Sequence, residues 1–181
     1  MSPSVRTFGR TALIVTLLAL AAGGAWGFWR MRTAPASQVY LVTYEAPRFS
    51  LATVSRERLT RDVESDPLAY SVERVAALVS GPTMEEQSKG LSSAVPEGTS
   101  VLAASFRDGE LTVNLSFNFA DGGGTASMQA RLEQIRWTLT EAAVVERLTL
   151  EMDGRPLDVL GGEGLWLDPT WSRVGAPAPS W

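Results

Sequence analysis

The sequence contains no cysteine and no histidine. Those two absences together remove disulfides, thiolate nucleophiles, Cys/His zinc sites and imidazole acid–base catalysis. Lysine is nearly missing as well, Lys89 being the only one among sixteen basic residues. Acidic residues are missing from the start of the chain, where Arg6, Arg10, Arg30 and Arg32 all precede the first of them, Glu45. Taking those four from the sixteen basic residues leaves twelve against twenty acidic ones, a net charge of −8 for residues 33–181. A domain of that sign repels phosphate backbones, so nucleic acid is not an expected partner.

What the first residues do have is a long apolar run. Thr11 to Trp29, TALIVTLLALAAGGAWGFW, carries no charge over nineteen residues. As a helix it would span roughly 28 Å, close to the hydrocarbon thickness of a bilayer. Trp26, Phe28 and Trp29 followed by Arg30 read as an interfacial belt. Two readings compete: an uncleaved transmembrane anchor, and a signal peptide cut at Ala19-Leu20-Ala21. Cleavage there would leave the apolar start AGGAWGFWRMR, which favours the anchor. No cysteine follows to carry a lipid. The expected layout is a tail at 1–10, the anchor at 11–29, a linker at 30–38, a domain at 39–158 and a C-terminal tail at 159–181. A short tail before a long domain places the domain on the extracytoplasmic side of a single-pass membrane protein.

Within the domain, Val39–Tyr44 and Phe49–Arg56 are rich in β-branched and aromatic residues and read as strands. Asp66-Pro67 opens a helix, and Leu68, Val72, Val75, Ala76 and Val79 recur on it at helical spacing, predicting one buried stripe. Gly81-Pro82 ends it. Asp108-Gly109 predicts a type I′ turn between strands at Val101–Phe106 and Leu111–Phe119. In the second, Leu111, Val113, Leu115, Phe117 and Phe119 alternate with polar residues. Thr125 is the expected cap of a second helix with Met128, Leu132, Ile135, Leu139 and Ala142 on its apolar face. Val144–Met152 is the last strand. The order β-β-α-β-β-α-β predicts an α+β fold, a two-layer sandwich in which two helices cover one face of a mostly antiparallel sheet.

With these elements placed, the chain resembles the GerM-type (GerMN) domain family of bacterial envelope and sporulation proteins. The resemblance rests on Gly81-Pro82, Gly90-Leu91, Ala94, Pro96 and Gly98 after the first helix. It continues through Asp108-Gly109, Asn114, Ser116 and Phe119 in the hairpin. It ends with Gln134-Ile135 and Thr138-Leu139 on the second helix and Asp153-Gly154 beyond the last strand. It implies a non-enzymatic, secreted or membrane-anchored protein linked to envelope assembly or to the cell wall, with no cofactor. The glycines and prolines have a physical reading of their own, since they fix backbone rather than supply chemistry.

Sharper chemical readings are weaker. Asp62, Glu64, Asp66 and Glu73 fall at positions 1, 3, 5 and 12 of an EF-hand-like register, but the required glycine at position 6 is Pro67. Ser88 and Lys89 are adjacent and point apart. The pairs Glu85/Glu86 and Asp108/Glu110 lack apolar surroundings that would raise one pKa for glycoside hydrolysis. No catalytic, cofactor-binding or metal-binding residue is assigned. The candidate interaction surface is Thr112, Asn114, Ser116 and Asn118 on the polar strand face, with Trp166 and Trp171 towards the C-terminus. Its expected occupant is an envelope protein or a second copy, with peptidoglycan or another glycan as the alternative.

Overall fold

The computed structural model describes residues 37–45, 48–56, 62–161, 165–168 and 170–173, all of which belong to the compact unit Ala36–Trp181. The proposed tail and anchor at 1–29, most of the linker and the end of the chain lie outside the described residues. Among the described residues no helix is long and apolar enough to cross a membrane.

Strands β1 (Ser37–Glu45) and β2 (Arg48–Arg56) form an antiparallel pair, to which β3 (Leu91–Ser92) adds on the other side of β1. Helix α1 (Pro67–Ser80) starts where the sequence predicts: the Asp66 side chain accepts from Ala69 N–H at 3.0 Å and Pro67 takes the first turn. Gly81 closes it with φ 68°. A short helix α2 (Met84–Ser88) follows, set by a capping box in which Thr83 and Glu86 serve each other's backbone N–H.

The second sheet holds β4 (Val101–Arg107), β5 (Glu110–Leu115) and β6 (Arg147–Met152), with β10 (Thr170–Ser172) beyond β6. Asp108 and Gly109 both have positive φ, 50° and 76°, so the β4–β5 turn has the predicted handedness. Helix α3 (Thr125–Leu139) lies between β5 and β6 in sequence. Smaller strands β7 (Arg155–Pro156), β8 (Val159–Leu160) and β9 (Leu165–Trp166) complete the set. One core joins Val39 and Leu41 of β1, Tyr70 and Leu78 of α1, Leu111, Val113 and Leu115 of β5, Ile135 and Leu139 of α3, and Leu148 of β6.

Several expectations are corrected. The fold is α+β and its strand pairs are mostly antiparallel, as expected, but they do not form a single sheet. Among the described residues there are two principal sheets, ordered β2-β1-β3 and β10-β6-β5-β4, and β5 pairs with β6 in parallel. The reason is topological: α3 carries the chain back along the sheet, so β6 starts at the same end as β5. Strand β5 stops at Leu115, and Phe117–Ala120 forms a 3₁₀ turn that buries Phe119 and exposes Phe117. Gly124, not Thr125, occupies the cap position of α3. The last strand begins at Arg147, three residues later than expected from the apolar run at Val144. On α1 the core-facing side is Tyr70, Ser71, Arg74, Val75 and Leu78, while Leu68, Val72 and Ala76 are exposed. Helix α3 is buried nearly all round, because β1, β2 and α1 flank it and its Trp137 meets Trp171 of β10. Beyond residue 158 the chain adds β8, β9 and β10.

Candidate functional site

The signature residues Gln134 and Thr138 of α3 meet β1 and the segment after β3, and their polar atoms are used internally. Gln134 is fully buried on α3. Its Oε1 accepts from Ala94 N–H at 2.6 Å, and its Nε2 donates to the Tyr40 carbonyl at 3.0 Å. One turn further along α3, Thr138 Oγ1 accepts from Tyr40 N–H at 3.1 Å. Strand β3 reaches only Val42 and Thr43 on that edge of β1. The two α3 side chains therefore supply the hydrogen bonds that a longer third strand would have made at Tyr40.

Arg131, 2 % exposed, does the same for loops. Its Nε donates to the Ala94 carbonyl at 3.0 Å, Nη1 to the Phe119 carbonyl, and Nη2 to the carbonyls of Asp121 and Gly122, each at 3.0 Å. Burial lowers its pKa, yet guanidinium keeps its proton across the biological range. The Ala94–Pro96 and Phe119–Gly122 segments are thus tied to one α3 side chain.

Other signature positions set turns. Gly90, Gly98 and Gly154 all have positive φ, and Asp153 shares the turn with Gly154 at φ 47°. A Cβ on Gly98 would also come within 3.4 Å of the Asn118 side chain. Pro96 accepts from Thr99 N–H across that turn. Leu91 pairs with Thr43, and the buried Leu139 gives its carbonyl to Tyr70 Oη at 2.9 Å. Asn114 Oδ1 accepts from Gly154 N–H at 3.0 Å, and Ser116 Oγ accepts from Ser100 N–H at 3.0 Å.

The candidate interaction surface is not one surface. Thr112 and Asn114 lie on the polar face of the second sheet. Ser116 and Asn118 have left the strand, and Asn118 donates to Asp121 at 3.3 Å. Trp166 is 79 % exposed on the β8–β9 hairpin. Trp171 turns the other way, its ring edge-on to Trp137 at 5.8 Å, while its neighbours Thr170 and Ser172 are exposed. What the sheet does align is a row of hydroxyls: Ser105, Thr112, Thr149 and Thr170 sit directly opposite one another across four strands. Beside it Arg147 pairs with Glu110 at 3.3 Å, and a shallow cleft of about 400 Å³ opens over Ser105, Arg107, Glu110, Thr112 and Arg147.

Titratable groups in the candidate catalytic pairs are shifted the wrong way for catalysis. Lys89 donates to Glu85 at 2.7 Å, which raises its pKa and keeps it protonated, unlike the base of a Ser/Lys dyad. Ser88 donates to the Glu85 carbonyl instead. Glu85 is lowered by the Lys89 hydrogen bond, Glu86 to about 2 chiefly by the hydrogen bond from Arg56, and Glu110 chiefly by the Thr149 hydroxyl. A general-acid carboxyl needs the opposite shift. Asp62 Oδ1 accepts from Glu64 N–H and Asp66 caps α1, so both have local backbone duties. Among the described residues no group of three or more acidic side chains is placed to hold a metal.

Comparison with known proteins agrees with this scaffold. The first GerMN domain of the sporulation protein GerM from Bacillus subtilis superposes with a TM-score of 0.56 at 19 % identity, covering 76 % of this chain and 97 % of that one. The tandem GerMN domains of the same protein give 0.57 at 18 % identity, and the match there spans 44 % of the longer chain. A putative lipoprotein from Clostridium perfringens gives 0.50 at 20 % identity, covering 75 % of this chain and 85 % of that one. No curated protein matches the chain. The family model Germane, described as sporulation and spore germination, matches residues 38–158. With more than half its length under that model, the chain belongs to the Germane family, the GerM-type domains.

Proposed function

We propose that this chain is a non-catalytic assembly module, tethered to the cell membrane by residues 11–29 and working on the extracytoplasmic side with another envelope protein or a second copy of itself. One observation carries the reading: the signature side chains Gln134 and Thr138, with Arg131 beside them on α3, point inward and spend their hydrogen bonds on backbone. Such residues preserve a shape, and a preserved shape with unpaired strand edges serves contact with other proteins. The tether rests on nineteen uncharged residues with an aromatic end. The test is crosslinking in native envelopes followed by carbonate washing. Retention in the membrane with discrete crosslinked species supports the reading, and a washed-off, uncrosslinked chain sinks it.

A second reading is favoured by the hydroxyl row of the outer sheet face, which offers donors and acceptors at strand spacing to a glycan. Co-sedimentation with insoluble peptidoglycan at two salt concentrations checks it. Retention that survives salt and is lost in Thr112→Ala supports glycan binding.

A further inference from the structure

Helix α1 leaves an apolar row uncovered. Leu68 and Val72 are 42 % and 43 % exposed, and Ala76 one turn further is exposed too. Spaced four apart, the three share one face, and no charged residue interrupts it. The helix packs on β4, and a cleft of about 270 Å³ separates Val72, Ala76 and Val79 from Thr99–Val101 at the start of that strand. Leu102, just beyond, is 50 % exposed.

Strand β4 is itself the end of its sheet, with β5 on one side and no described strand on the other. The two-residue turn at Asp108-Gly109 makes Arg107 and Glu110 a hydrogen-bonded pair. Counting back by twos, Ala103 and Ser105 also bond towards β5, and Ala104 turns its N–H and C=O outward. An unpaired edge and an uncovered apolar row thus lie side by side.

We propose that this edge pairs with the same edge of a second copy of the chain, antiparallel about a two-fold axis at Ala104. The inference rests on the assembly reading and names its partner. Three features favour a second copy over an unrelated strand. Outward N–H and C=O of Ala104 meet their own symmetry mates, as an isologous contact requires. The only charge on β4, Arg107, falls opposite Val101 of the second copy, so no like charges face each other. The two-fold axis stands normal to the sheet, so both α1 helices lie on the same side, and their rows at Leu68, Val72 and Ala76 face each other across the seam. Of the other sheet edges, β2 carries an arginine at each end, so antiparallel self-pairing about its middle residue would set like charges opposite each other. A bulge between Val101 and Ala103 confines the new ladder to the middle of β4.

The absence of native cysteine makes the test specific. In this register Ala103 faces Ser105 of the second copy as a non-hydrogen-bonded pair, a separation that a disulfide spans. The full-length double variant Ala103→Cys/Ser105→Cys, oxidised in native membranes and after purification in detergent, should give a covalent species of twice the chain mass. Thr53→Cys on β2 should remain a monomer, and Val72→Glu added to the double variant should reduce the dimer at least tenfold with an unchanged circular dichroism spectrum. No dimer, or equal dimer from the β2 control, overturns the proposal. A covalent adduct with a different protein overturns the second copy and leaves the assembly reading standing. Dimer undiminished by Val72→Glu overturns the contact between the α1 rows.

Discussion

Gln134 and Tyr40 stand 94 residues apart, yet the Gln134 amide donates to the Tyr40 carbonyl at 3.0 Å with Gln134 fully buried. The same side chain holds Ala94 N–H through its oxygen. A single side chain thus joins β1, α3 and the segment after β3. Removing it strands two backbone groups in a dry interior, which costs more than a hydrogen bond gains.

The first prediction follows directly. Gln134→Leu keeps volume and apolar packing but leaves Tyr40 C=O and Ala94 N–H without partners. A loss of about 2–4 kcal/mol in urea unfolding is expected. Thr138→Val, which strands only Tyr40 N–H, should lose about half as much. Equal stability in both variants would mean that water replaces the amide, and the strand-substitute account would fail.

Arg131 gives the second. Its four bonds to carbonyls need a planar fork, and an ammonium at the end of a flexible stem cannot reproduce them. Arg131→Lys should therefore cost about 2–3 kcal/mol, and Arg131→Met more, because no donor remains for four carbonyls. Hydrogen exchange should rise in Ala94–Thr99 and Phe119–Gly122 before it rises in β5. Uniform destabilisation across the sheet would show that the loops do not depend on this residue.

How far these features could be read from sequence depends on whether their cause is local. The Asp66 cap and the Asp108-Gly109 turn were legible because each is decided by a few adjacent residues. The capping box was equally local, written as Thr83 and Glu86 three apart, and that spacing was the available signal. The parallel pairing of β5 with β6 was not local. It depends on where α3 returns the chain, and periodicity is silent on that. Leu68, Val72 and Ala76 have helical spacing, but spacing cannot distinguish a stripe that meets the core from one that meets solvent or a partner. Gln134 was visible only as part of a resemblance. Arg131 gave no signal, since a lone arginine on an amphipathic helix ordinarily points to water.

Acid sensitivity supplies the third prediction. Glu86 accepts from both Arg56 guanidinium nitrogens, at 2.6 and 2.9 Å, and serves the Thr83 backbone, and its pKa falls to about 2. A carboxylate lowered by folding adds stability above its unfolded pKa of about 4.3 and gives it up as pH falls towards the folded value. Between pH 4.5 and 2 the wild-type chain should therefore lose stability that Glu86→Gln does not lose. At pH 7 the variant should already be weaker by about 1 kcal/mol, since the pair is partly solvated. Parallel pH profiles for the two chains would remove Glu86 from the acid response.

The last prediction concerns Arg173, just past β10. Arg173 follows β10 and lies 4.7 Å from the centre of the Trp137 ring and 5.7 Å from that of Tyr40. Its Nη2 donates to Tyr40 Oη at 2.7 Å, and Nη1 donates to the Thr140 carbonyl. Trp171, on the strand, packs edge-on to the same Trp137. One guanidinium thus ties β10 to α3 and β1, although β10 itself has only three residues paired to β6. A strand that short is marginal without such a tie. Arg173→Ala should cost about 1–2 kcal/mol overall. Hydrogen exchange at Thr170–Ser172 should accelerate much more than exchange in β5 and β6, because the loss falls on a locally opening segment. If β10 stays protected in Arg173→Ala and opens only in Trp171→Ala, then ring packing holds the strand, and the guanidinium tie is dispensable.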